Sequence, residues 1–116
     1  MKWYDKLYLG ESIEKEARKL KWKINHRIRT AGVFVIAFAS NPENLLDIIP
    51  SREILQKGYP KYEIEIIGLA QGYEEALQVV LRIIDETYQN TGNTDVRAYM
   101  EKIPNNYKTV AEGENR

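Results

Sequence analysis

The chain has 116 residues, 43% of them hydrophobic and 29% charged, and its 17 Lys/Arg and 17 Asp/Glu leave a formal net charge of +0. That length and composition fit one domain able to bury a core without cross-links, and the absence of cysteine excludes disulfides, thiolate metal sites and a cysteine nucleophile. The opening residues MKWYDKLYLGES lack the apolar core of a secretory signal, and no apolar run approaches the roughly 18 residues of a membrane span, so the expectation is a soluble, cytoplasmic protein with no membrane partner.

Charge is unevenly placed. Residues 1–31 hold nine Lys/Arg against four Asp/Glu, a local balance of +5, and the remainder holds eight against thirteen, a balance of −5. Such a division bears on partners and docking rather than on fold.

In chain order, Leu7-Tyr8-Leu9 is a short predicted strand and Gly10-Glu11-Ser12 a turn. A helix is predicted from Ser12, as N-cap, to Arg29, with Ile13, Ala17, Leu20, Ile24 and Ile28 on one apolar stripe. Residues 33–38, VFVIAF, are continuously apolar and β-branched or aromatic, the pattern of a strand buried on both faces. Ser40-Asn41-Pro42-Glu43 reads as a cap and proline opening a helical stretch, which Pro50 interrupts and Gly58 ends. Tyr62, Ile64 and Ile66 alternate with Glu63, Glu65 and Ile67 as an edge strand, and Gly68-Leu69-Ala70-Gln71-Gly72 reads as a turn. A strongly apolar helix is predicted over Tyr73–Gln89, and a shorter one over Asp95–Ile103, with a fourth strand as its alternative.

Three strand–turn–helix units suggest an α/β fold: a small three-stranded, mainly parallel sheet with flanking helices. The alternative is an α+β fold in which residues 33–38 and 63–68 form an antiparallel hairpin. Residues 1–103 form the expected single globular domain and residues 104–116 a flexible C-terminal tail.

A parallel sheet would gather the three turns on one edge, where helix N-termini accept phosphate or carboxylate. The candidate ligand-binding residues there are Gly10, Ser12, Ser40, Asn41, Asn44, Gly68, Gly72 and Tyr73. The competing reading is that these glycines close turns and these polar residues cap helices. A second candidate surface is the basic face of the first helix, Lys15, Arg18, Lys19, Trp22, Lys23 and Arg29, which could contact nucleic-acid phosphates. Against this, the sequence pI near 6.6 is low for a dedicated nucleic-acid binder. The competing reading there is a solvated face with Trp22 covered by Trp3-Tyr4.

His26 reads as a helix-terminal histidine rather than a base, and Glu63 and Glu65 as the solvent face of an edge strand. No catalytic residue, metal site or cofactor is expected, and an enzyme is the less favoured class. Tyrosines 59, 62, 73, 88 and 99 near element ends add to the expectation of a protein partner. The leading expectation is therefore a small accessory protein acting by protein–protein interaction or self-association as a homodimer. The alternatives are a small-ligand or nucleotide-binding domain using the turn edge, and nucleic-acid contact through the basic helix.

Overall fold

A computed structural model describes residues 1–39, 44–56 and 64–103, and the backbone of residues 108–110. Strand β1 (Lys2–Leu9) leads through a 3-10 helix (Glu11–Glu16) into α1 (Ala17–Asn25). Strands β2 (Val33–Phe38) and β3 (Leu46–Pro50), the single turn α2 (Ser51–Ile54) and β4 (Glu65–Gln71) follow. Helices α3 (Tyr73–Thr91) and α4 (Val96–Glu101) come next, then the short strand β5 (Lys108–Val110). The sheet order is β3-β2-β4-β1-β5.

Among the described residues only β1 and β4 pair in parallel; β2 is antiparallel to β3 and β4, and β5 is antiparallel to β1. The expected three-stranded, mainly parallel sheet is thus corrected to a mixed α/β sheet of four main strands and the short β5, mostly antiparallel. The relative direction of residues 33–38 and 65–71 is that of the alternative reading. Their connection is not a hairpin, since β2 turns back onto β3.

Three local features account for the difference. First, Leu46–Pro50 was expected in a helical stretch. It is a strand whose Leu46 and Ile48 pack on one side of the sheet and Ile49 on the other, a period of two suited to adjacent β-branched residues. Second, β4 is central rather than an edge, with Ile66, Ile67, Leu69 and Ala70 all fully buried. Third, the expected turn at residues 68–72 is mostly strand. A Cβ on Gly68 would lie 2.8 Å from the Tyr8 backbone oxygen, and the register shifts beside it toward both β1 and β2. Gly68 therefore permits a bulge and a close backbone approach.

The first helix is also shorter than expected. It ends at Asn25, Arg27 takes a left-handed conformation at φ 57°, and Ile28 leaves the apolar stripe to become 39% exposed. The His26 Nδ1–H donates to the Trp22 carbonyl at 2.7 Å, adding a second donor to a carbonyl that already accepts the His26 backbone N–H at 3.1 Å.

The sheet is covered on both faces. One core joins Trp3, Val33, Val35 and Ile66 to Ile13, Leu20 and Ile24 of the 3-10 helix and α1, and to Ile54 of α2. The other joins Tyr4, Tyr8, Ile36, Ile67 and Ala70 to Ala76, Val79 and Ile83 of α3 and to Val96 and Met100 of α4. Residues 96–101 are helical, with the Asp95 carboxylate accepting the Ala98 N–H at 3.1 Å as an N-cap. Within the segment expected as a tail, residues 108–110 pair with β1 as β5.

Candidate functional site

Because β1 and β4 are parallel, the turns after Leu9 and Gln71 share one edge of the sheet. Antiparallel β2 delivers its start to the same edge, Val33 pairing with Gln71. Glu75, in the first turn of α3, reaches back into this junction. Its carboxylate accepts the Ser12 N–H at 2.9 Å, the Ser12 hydroxyl at 2.7 Å and the Gln71 N–H at 3.0 Å. Burial raises the Glu75 pKa, but the hydrogen bonds from the Ser12 hydroxyl and the two backbone amides outweigh it, and the carboxyl is held below its ordinary value.

Three further donors at these turns are also engaged. The Gly10 N–H donates to Leu69 O at 2.9 Å and the Gly72 N–H to Gly32 O at 2.8 Å. Gln71 Nε2 donates to Ala31 O at 3.1 Å. At this junction the Ser12 and Gln71 donors are thus taken by the protein's own carboxylate. Gly72, at φ 84°, supplies the left-handed corner that admits the chain to α3.

A depression of about 570 Å³ opens beside this clamp, lined by Gly10, Ser12, Glu75, Gln78 and Arg82 among others. Arg82 also borders a second, of about 470 Å³, with Lys6, Tyr8, Glu14 and Glu86. Between them Arg82 Nη2 donates to Leu9 O at 2.8 Å. The Glu86 carboxylate accepts the hydroxyls of both Tyr8 and Tyr99, the latter at 2.9 Å. Burial first, and then the hydrogen bond to and charge of Glu86, push both phenols above the ordinary tyrosine value. These contacts tie β1, α3 and α4 together.

The expected ligand residues are therefore only partly brought together. Gly10, Ser12 and Gly72 meet at one edge. Gly68 is inside β4. Tyr73 starts α3, but its ring turns to Phe34, edge to face at 5.8 Å. Ser40 and Asn41 lie outside the described residues. Asn44 borders a cavity of about 210 Å³ with Phe38, Asp95 and Arg97. It sits at the opposite edge, because β2 ends where β4 begins. The three-turn edge expected from a parallel sheet does not form, and this follows from the reversed direction of β2.

On the basic surface, Arg18, Lys19, Trp22 and Lys23 lie on α1, Lys15 lies on the 3-10 helix, and Arg29 lies beyond the helix end. Trp22 is 53% exposed, and its ring stacks on His26 at 4.2 Å. It is not covered by Trp3 and Tyr4, which are buried on opposite faces of the sheet. Trp3 instead donates its indole N–H to Asn25 Oδ1 at 2.8 Å. Glu65 meets Arg97 at 2.8 Å, and Glu63 lies outside the described residues. Among the described residues, no three His, Asp or Glu side chains cluster as metal ligands.

The most unusual surface belongs to α3. At about 100° per residue, its side chains divide into three sectors. Ala76, Val79, Ile83 and Thr87 are buried against the sheet, and Glu74, Gln78, Arg82 and Asp85 form a polar strip. Between them runs an apolar sector about 100° wide, formed by Tyr73, Leu77, Val80, Leu81, Ile84 and Tyr88. Leu81 is 66%, Tyr88 56%, Tyr73 54% and Leu77 40% exposed. The sector leans toward the β2–β3 side, where Phe34, Leu46 and Ile48 are only partly covered.

Glu75 was the part least apparent from sequence, whereas the strongly apolar character of this helix was expected. Glu75 is the third residue of its helix, the place from which a Glu reaches back to the N-terminal amides, and that offset was the available signal. Among the described residues, no helix is long and apolar enough to cross a membrane. No protein-family model, no curated protein and no solved structure matches the chain.

Proposed function

We propose that this chain is a non-enzymatic accessory protein of the cytosol that acts by binding protein, either another chain or a copy of itself, through the apolar shoulder of α3. The observation that carries the reading is the unbroken sector from Tyr73 to Tyr88, with four large side chains between 40% and 66% exposed. Single exposed leucines are ordinary on protein surfaces, but a contiguous apolar set rimmed by charge is characteristic of interaction sites. The half-covered Phe34, Leu46 and Ile48 extend the same surface onto the sheet.

The small-ligand alternative has less support, since Glu75 already takes the Ser12 and Gln71 donors and the three expected turns do not share one edge. Nucleic-acid contact keeps one specific observation, the exposed Trp22 amid Arg18, Lys19 and Lys23. A low-salt gel shift that disappears in a Lys19, Trp22 and Lys23 triple-alanine variant would support that contact, and no shift at low salt would end it.

The leading reading is tested with a photo-reactive amino acid at Leu81, in cells that make the protein, with Lys15 on the other side of the sheet as control. Covalent protein adducts are expected from position 81 and not from position 15. Absence of any adduct at 81 would refute it.

A further inference from the structure

The spacing of side chains along the α3 shoulder reads the same in both directions, with a tyrosine at each end and aliphatic residues between. Tyr73, Leu77 and Val80 are followed by Leu81, Ile84 and Tyr88, with the spacings 4 and 3 mirrored as 3 and 4 about the point between residues 80 and 81. If two such helices run antiparallel with a two-fold axis at that point, tyrosine meets tyrosine at both ends. Leu77 meets Ile84, and beside the axis Val80 meets Val80 and Leu81 meets Leu81. A two-fold contact requires a surface complementary to itself under reversal, and this pattern supplies one. No charged side chain falls inside the sector, so the pairing buries no ion.

Area agrees with pattern. If a fully exposed Tyr or Leu side chain offers about 200 Å², the four exposed residues present about 400 Å² of largely apolar surface. A standard interface takes about 800 Å² from each partner, about 65% of it apolar in homodimers, or about 500 Å². The partly covered Phe34, Leu46 and Ile48 adjoin the shoulder and supply the difference.

We infer that the occupant of the α3 shoulder is a second copy of this chain, packed antiparallel across a two-fold axis between Val80 and Leu81. This rests on the protein-binding reading above and names its partner. The same axis brings Glu74 of one copy alongside Asp85 of the other at the rim, on the same side of the helix pair. These like charges oppose association, so raising salt tightens the dimer several-fold.

The absence of cysteine makes the test direct. In sedimentation experiments the natural chain should show a monomer–dimer equilibrium that Leu81→Glu shifts to monomer, with circular dichroism unchanged because Leu81 is 66% exposed. Oxidation of Leu81→Cys should give a covalent dimer far faster than Lys15→Cys does. A mixture of Tyr73→Cys and Tyr88→Cys chains should cross-link to each other and not to themselves. Residue 73 of one copy would lie about 22 Å along the axis from residue 73 of the other, well beyond the roughly 7 Å that a disulfide spans.

A folded natural chain that stays monomeric at high concentration overturns the inference. So does a dimer that persists in Leu81→Glu while Leu81→Cys cross-links no faster than the control. The photo-adduct at Leu81 separates the two levels of the argument. An adduct of twice the chain mass supports the self-pairing. An adduct of another mass from a monomeric protein overturns the self-pairing but leaves the protein-binding reading. No adduct from a monomeric protein overturns both.

Discussion

Gly10 and Glu75 are expected to be energetically coupled, with an effect of Gly10→Ala that changes sign. The Glu75 carboxylate accepts three hydrogen bonds at 2.7–3.0 Å from Ser12 and Gln71. At about 0.7 kcal/mol each, toward the low end for bonds that water can replace, Glu75→Ala costs about 2 kcal/mol. For a chain of this length that lowers Tm by about 8 °C. A Cβ on Gly10 would lie 2.1 Å from Glu75 Oε1 and 2.3 Å from its carboxyl carbon, so alanine there expels the carboxylate and loses most of the same bonds.

The Gly10 backbone itself, at φ −64° and ψ 146°, suits any residue. Replacing glycine at such a position stabilises by about 0.4–1 kcal/mol through the unfolded chain. Gly10→Ala should therefore cost about 1–1.5 kcal/mol in the natural chain and stabilise slightly in Glu75→Ala, a coupling near 2 kcal/mol. Urea denaturation followed by tryptophan fluorescence measures all four proteins, with buried Trp3 as the reporter. Additivity within about 0.5 kcal/mol would refute the clamp.

Other outcomes follow from the same contacts. Because the Glu75 pKa is depressed on folding, its contribution is present above the unfolded value of 4.5 and lost as pH falls through the folded value; the stability gap to Glu75→Gln should be flat above pH 6 and close in acid. For Tyr8 the sign is opposite: its raised pKa gives a contribution complete below pH 10 that disappears as pH rises, so Tyr8→Phe should flatten the alkaline loss of stability. Tyr4, pushed up to about 12 mainly by burial and then by the charges of Glu65 and Glu101, should titrate late in ultraviolet absorbance unless the protein unfolds. Gly68→Ala forces a methyl to 2.8 Å from a backbone oxygen in the central strand and should cost about 1–3 kcal/mol in urea denaturation, whereas Trp22→Ala, at a 53% exposed residue, should change stability by less than about 0.5 kcal/mol.

What the sequence made legible was where hydrophobic periodicity is unambiguous. Residues 33–38 are the β2 strand at the expected bounds, and α3 begins at the expected Tyr73. Strand direction was not legible, because it depends on where the connection goes rather than on either strand's composition. The segment after Phe38 carried helix-start signals at Ser40–Glu43, which hid a strand at Leu46–Pro50 whose pairing with β2 decides the matter. Gly68 was misread for a related reason. A glycine between apolar residues marks a turn and a strand bulge equally well, and only the approach of the Tyr8 carbonyl distinguishes them. The basic face was legible as a list of residues but not in extent, since the helix ends four residues before Arg29.

The division of charge between residues 1–31 and the rest now has a spatial meaning. Basic α1 and net-acidic α3, with Glu74, Glu75, Asp85 and Glu86 against Arg82, lie on opposite faces of one sheet. Each helix layer stands about 10 Å from the sheet, so the two charged surfaces are some 20 Å apart, beyond the Debye length of about 8 Å. They cannot dock on each other within one molecule and add little to its folding. Between molecules two arrangements differ in kind. Basic α1 against acidic α3 would be head-to-tail, giving a ring or an open chain of copies; salt would weaken it. The two-fold contact through the α3 shoulder closes at two copies, sets acidic rims side by side and leaves both α1 faces outward; salt would strengthen it. The sign of the salt response therefore separates the two, and the mirrored spacing of side chains from Tyr73 to Tyr88 favours the two-fold arrangement.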